Sequence, residues 1–65
     1  MAQFEIYRDV SGEYRWRFKA SNELILAVSS EGYKTTSGCQ HAIGLLMKEA
    51  SDAEIERMGD AGQQR

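Results

Sequence analysis

Cys39 and His41, two residues apart, are the only cysteine and the only histidine in the chain. A thiol beside an imidazole is the pairing that many nucleophilic hydrolases use. The spacing works against that chemistry. The residues around the pair follow a helical period, and side chains two apart on a helix do not face each other. Cys39 falls on the apolar stripe of that helix and His41 off it. We read Cys39 as a small buried hydrophobe and His41 as an exposed imidazole, and assign no catalytic residue. One cysteine and one histidine also leave no intrachain disulfide and no ordinary sulfur and nitrogen metal site, so neither a metal nor a cofactor is expected.

Two further groups could bind rather than react. Arg15, Arg17 and Lys19, with Lys34 and the ring of Tyr7, could form a basic and aromatic face that grips single-stranded nucleic acid by phosphate contact and base stacking. Alternating charge is also what the wet face of any soluble strand carries, and Glu5 would neutralise part of the patch. Ser29, Ser30, Glu31, Gly32 and Tyr33 form the most distinctive run and could be a recognition loop for a small ligand or peptide. Their structural reading is that Gly32 supplies a bend, that Glu31 and the serines satisfy loop backbone groups, and that Tyr33 packs beneath the start of the helix. We favour the structural reading because this run joins sheet to helix and must fix their angle.

The elements that position these residues follow from period. Tyr14, Trp16 and Phe18 alternate with Arg15, Arg17 and Lys19, the mark of a strand with one dry and one wet face. Residues Gln3 to Arg8 alternate too, with Phe4 and Ile6 on one side and Glu5 and Tyr7 on the other. Between them Asp9-Val10-Ser11-Gly12 has turn chemistry, so a hairpin is expected. Setting Ile6 opposite Trp16 brings Phe4 opposite Phe18, Glu5 opposite Arg17 and Tyr7 opposite Arg15, so both faces agree on one register. A second turn is expected at Ser21-Asn22-Glu23. The third strand, Leu24 to Ser29, puts Leu24, Leu26 and Val28 on one face and Ile25 and Ala27 on the other. Neither face is polar, and a strand apolar on both faces is usually covered on both, which points to a dimer.

Cys39, Ala42, Ile43, Leu46, Met47 and Ala50 then recur at helical spacing. The helix is expected from about Ser37 to Ala50, with Ser37 and Gln40 as a capping box and Thr36 as a competing cap. Gly44 within it marks either close approach by another element or nothing. Ala53 to Met58 alternates once more and reads either as a helix extension through Ile55 and Met58 or as a lone strand in need of a sheet edge. Residues 59–65 carry no pattern and read as a tail.

Sixty-five residues make a single domain, here 1–58, near the size at which one core barely offsets chain entropy. With disulfide and metal excluded, a second subunit is the expected helper. Eight basic against ten acidic residues give a net charge of −2, which disfavours whole-surface attraction to nucleic acid or anionic membrane. No secretory signal or membrane-spanning run is present in the sequence, so a cytoplasmic protein without membrane contact is expected.

The blocks Phe4-Glu5-Ile6-Tyr7, Gly12-Glu13-Tyr14-Arg15-Trp16-Arg17, Lys19-Ala20-Ser21-Asn22 and above all Ser29-Ser30-Glu31-Gly32-Tyr33 resemble the YegP-like family of small bacterial proteins. The resemblance implies a three-stranded meander, a helix and a last strand, with two copies exchanging their last strands within one sheet. It further implies that Ala53 to Met58 leaves its own subunit and that this single-copy chain forms a homodimer. One departure stands out: Asn22-Glu23 occupies the second turn, where relatives often carry Asn-Gly; glutamate fits a positive φ poorly, so a longer turn or one of another type is expected here. Leu24 also replaces a commonly polar residue. The expectation is an α+β domain of order βββαβ, a strand-exchanged homodimer of unestablished function. The leading reading is a non-enzymatic interaction module, and the alternative is nucleic-acid binding through the Arg15, Arg17 and Lys19 face.

Overall fold

A computed structural model describes residues 1–59. Its elements are β1 (Gln3–Arg8), β2 (Tyr14–Lys19), β3 (Ile25–Val28) and α1 (Thr36–Ala50). The strands form an antiparallel sheet in the order β1-β2-β3, with α1 lying across one face.

The alternation in β1 and β2 sets their register without ambiguity. Phe4 pairs with Phe18, Glu5 with Arg17, Ile6 with Trp16 and Tyr7 with Arg15, as the two-faced pattern requires. On the helix side Phe4 meets Trp16 edge-on at 5.5 Å between ring centroids and packs against Phe18 at 4.9 Å. Such ring pairs contribute about 0.5–1.5 kcal/mol beyond the area they bury.

Both hairpin loops share one backbone plan, a turn of three residues closed by a left-handed residue. In the first, Gly12 donates to the Asp9 carbonyl (3.0 Å), Asp9 donates to the Glu13 carbonyl (2.8 Å), and Gly12 has φ 91°. In the second, Glu23 donates to the Ala20 carbonyl (2.9 Å), Ala20 donates to the Leu24 carbonyl (2.8 Å), and Glu23 itself has φ 75°. The glutamate thus takes the strained position that glycine would fill more readily.

The third strand is shorter than its apolar run and is faced differently. It covers Ile25–Val28, and the pairing slips between Phe18 and Lys19. Lys19 pairs with Ile25 while Phe18 pairs with Ala27, so Leu26 is the extra residue of a bulge. Ile25 and Val28 therefore share the outer face with Lys19 and Arg17, and Ala27 joins Phe18 on the helix side. This corrects the expected grouping of Leu24, Leu26 and Val28 against Ile25 and Ala27. Every residue of β3 is exposed, so the described chain covers neither face of it.

The helix begins at Thr36, one residue before the expected start, and its cap lies two residues before the expected Ser37. Thr35, with extended φ −134° and ψ 158°, is the N-cap, and its Oγ1 accepts the Gly38 N–H at 3.0 Å. Neither Ser37 nor Thr36 caps, because both already lie inside the helix. Gly44 has nothing within 4 Å of where a Cβ would stand, so it marks no close approach among the described residues. At the other end Asp52 donates to the Glu49 carbonyl and Ala53 to the Ala50 carbonyl, each at 3.2 Å, and the helix closes with these tight turns. It does not extend through Ile55 and Met58. Residues 53–58 form neither helix nor strand in the single chain and are exposed throughout. The expected tail lies, from residue 60 on, outside the described residues.

Burial shows where the core is thin. Cys39 and Ile43 are the buried apolar residues among those described, and both lie in the first half of the helical stripe. The second half is open: Met47 is 60% exposed and Ala50 is exposed too.

Candidate functional site

The Ser29–Tyr33 run resolves into a splice in the sheet. Beyond Val28 the ladder to β2 is continued by Ser29, whose N–H donates to the Trp16 carbonyl at 2.8 Å. The return bond uses the side chain: the Trp16 N–H donates to Ser29 Oγ at 3.2 Å. Ser29 is buried, so this hydroxyl replaces a carbonyl that the departing backbone no longer offers. Ser30, Glu31 and Gly32 then loop outward, and Tyr33 rejoins β2 through paired bonds with Tyr14, both 2.7 Å. A Cβ on Gly32 would strike the Glu13 side chain, whose own Cβ would stand 2.9 Å away. The Tyr33 ring reaches the first turn of α1, within 3.9 Å of the Cβ position of Gly38. The bonds to Trp16 and Tyr14 fix the loop to β2, and the Tyr33 ring links it to the start of the helix.

On the outer face the basic residues come together and are matched. Arg15 Nε donates to Asp9 Oδ2 at 2.7 Å, and Arg17 Nε to Glu5 Oε1 at 2.8 Å. Lys19 Nζ stands 3.0 Å from Glu5 Oε2 and 3.4 Å from Glu23 Oε1. The Arg17 guanidinium also lies over the Tyr7 ring at 5.1 Å. Asp9 organises the first loop besides, its Oδ1 accepting from the Ser11 N–H, the Ser11 hydroxyl and the Glu13 N–H. Arg15, followed by Ser11 and the Glu13 backbone, holds the Asp9 carboxyl well below the usual carboxylate range. Arg17, with Lys19 and Gln3 behind it, lowers Glu5 from 4.5 to about 2. Lys19 is raised by Glu5, and Arg15 by Asp9. Lys34 is exposed and lies outside this network. Sequence alternation shows the Glu5–Arg17 pair; the Asp9–Arg15 pair it misses, because Arg15 sits opposite Tyr7 and reaches its partner diagonally, in the turn.

Cys39 is fully buried, and burial pushes its thiol up, away from the reactive thiolate. His41 is exposed. Among the described residues no group of three or more His, Cys, Asp or Glu side chains is placed to hold a metal ion, and no helix is long and apolar enough to cross a membrane.

The feature that sequence reasoning did not locate is a groove. It is open and almost wholly apolar, about 430 Å³, and is lined by Phe4, Phe18, Ala27, Leu46, Met47 and Ala50. It lies where the second half of the helical stripe passes over the sheet beside β3. The outer edge of β3 borders it, and nothing among the described residues pairs with that edge. The signal was available in part, since Leu46, Met47 and Ala50 continue a stripe that one thin sheet face has to cover.

The profile of a domain of unknown function, DUF1508, matches residues 9–56. The chain belongs to this family. Three UPF0339 relatives illustrate the match. One from Neisseria meningitidis serogroup B is 46% identical over 55 residues, 85% of this chain and 96% of that protein. One from Agrobacterium fabrum is 48% identical over 54 residues, 83% of this chain and 86% of its own length. One encoded in the 5′ region of the ptx operon of Stutzerimonas stutzeri is 52% identical over 56 residues, 83% of this chain but 49% of that relative. Among solved structures, the solution structure of a Haloferax volcanii protein superposes with a TM-score of 0.80 at 35% identity, covering 88% of this chain and 95% of that one. That of an Agrobacterium tumefaciens protein gives 0.72 at 40%, covering 88% and 90%. The DUF1508 fold thus accounts for the sheet and helix seen here, and the YegP-like resemblance holds. The function of the family is not established.

Proposed function

We propose that this chain is a non-enzymatic, cytoplasmic interaction module that works as a homodimer, each copy lending residues 53–58 to the other's sheet. One observation carries the reading: the described residues leave bare both a strand edge and the apolar groove beside it, and end in an exposed arm with strand periodicity. Val28 is 59% exposed on the edge, and Ile55 is 95% exposed on the arm. An unpaired apolar edge is a template for another strand, and soluble proteins rarely leave one open. On an added strand Ala53 and Ile55 take one face and Glu54 and Glu56 the other, so Ile55 suits the groove while the glutamates stay in water. The ptx-operon relative, about twice the length matched here, has room for a second unit in the same chain.

Nucleic-acid binding has less support, because Arg15, Arg17 and Lys19 already face Asp9, Glu5 and Glu23. At low salt we expect no oligonucleotide binding. Binding that is salt-dependent, and is lost in Arg15→Glu with Arg17→Glu while the dimer survives, would put that rival in its place.

The deciding experiment is mass by light scattering over a dilution series, for the full chain and for a version ending at Asp52. The reading expects twice 7.3 kDa for the full chain. The truncated chain should be monomeric or unfolded. A full chain that stays monomeric at every concentration would end the proposal.

A further inference from the structure

Why the arm should leave its own subunit is answered by the end of α1. The helix starts beside Tyr33, which pairs with Tyr14 at the beginning of β2, and its last residues line the groove with Phe18 near the end of β2. It therefore runs parallel to β2 and antiparallel to β3. Fifteen residues of helix span about 22 Å. The six of β2 span about 20 Å, so the helix slightly outruns the sheet.

The helix packs over β1 and β2 and not over β3, which is why the groove exists. A strand added outside β3 would lie about 12 Å to the side of the helix, at about 4.8 Å per strand. Reaching that place takes at least about four extended residues, at 3.3–3.6 Å each, besides those needed to reverse direction and drop to the sheet layer. No such residues are available. Ser51 is still in the right-handed helical region at φ −66° and ψ −24°, and the Asp52 and Ala53 N–H groups are bonded back to Glu49 and Ala50. The strand-patterned segment starts where the helical bonds stop.

We infer that the length of the Ser51–Asp52 junction is the device that sets the oligomeric state: it is too short for residues 53–58 to return to their own β3, and a longer junction would let each chain close on itself. This rests on the dimer reading above and adds its cause. Once reach is granted, closure is favoured, because a tethered segment acts at an effective concentration of the order of mM against the µM of a second chain.

The test inserts six Gly/Ser residues between Asp52 and Ala53 in the full chain. Mass is measured across a dilution series, with amide hydrogen exchange on the 53–58 segment. The expected result is a folded monomer in which 53–58 is protected, with any remaining dimer dissociating about 100-fold or more readily than the parent dimer. An insertion variant that dimerises as tightly as the parent overturns the inference, as does a monomer whose 53–58 amides exchange freely. A parent chain that is itself monomeric overturns the dimer reading instead, and with it the premise. If the six-residue variant does not fold, inserts of two and of ten Gly/Ser residues at the same place decide: the inference expects the shorter insert to stay dimeric and the longer one to give a monomer protected at 53–58, and two variants that dimerise as tightly as the parent would overturn it.

Discussion

Ser29 supplies a hydroxyl where the sheet has run out of carbonyls. Ser29→Ala leaves the Trp16 N–H without its acceptor, and stranding this part-buried donor costs about 1 kcal/mol or somewhat more, within the range of about 1–3 kcal/mol for a fully buried one. Thermal unfolding should show the loss as a fall of about 4–8 °C per kcal/mol in a chain of this size. Ser29→Thr, which keeps the hydroxyl, should recover most of it. The same scale governs the response to acid. The Glu5 carboxyl titrates near 2 in the folded chain and near 4.5 when free, so the unfolded chain binds more protons between these values. Its contribution is complete above pH 4.5 and is lost as pH falls through 2. Thermal midpoints followed from pH 5 to pH 2 should therefore fall more steeply in the parent than in Glu5→Gln. Much of this face is legible in advance, since Glu5 and Arg17 lie opposite each other in the one register that both faces allow. The role of Ser29 is not legible, because a serine at a strand end reads the same whether its hydroxyl meets water or a backbone amide.

Among the elements, the two hairpins offer a matched comparison. They share a loop plan, yet one has Gly12 and the other Glu23 at the left-handed position. A residue with a Cβ costs about 1–2 kcal/mol there. Glu23→Gly should raise the unfolding midpoint by several degrees, with little loss from the Lys19–Glu23 pair, which is 3.4 Å long and involves an exposed glutamate. A lower midpoint in the variant would mean that the pair outweighs the backbone strain. A turn longer than two residues could be foreseen from Asn22-Glu23, but not that Glu23 itself takes the left-handed place. The bulge in β3 could not, because Ile25, Leu26, Ala27 and Val28 are all apolar and no polar residue marks which one is extra. The helix cap was hidden in a similar way: Thr35, Thr36 and Ser37 all carry hydroxyls, and only the extended backbone of Thr35 distinguishes it.

For the molecule as a whole, what decides stability is how little the described residues bury. A core holding Cys39 and Ile43, roofed by half-buried aromatics, is thin for any domain. Under the dimer reading, folding and association are linked by mass action, and the unfolding midpoint should rise with protein concentration. Calorimetry over a hundredfold range of concentration checks this; a midpoint independent of concentration would mean that each chain stands alone. The overall α+β order was open to the sequence because it depends on periods of two and 3.6, which a single chain displays. The groove was not, since it is defined by where the helix does not lie. Finally, the Leu26 bulge bears on how far sheet growth can go. A regular incoming strand keeps step with β3 for only a few residues before the extra one throws its side chains onto the wrong face. Fibres need the same pairing repeated without limit. An edge that is apolar and unpaired among the described residues, yet out of step with itself, suits short pairing and disfavours endless stacking.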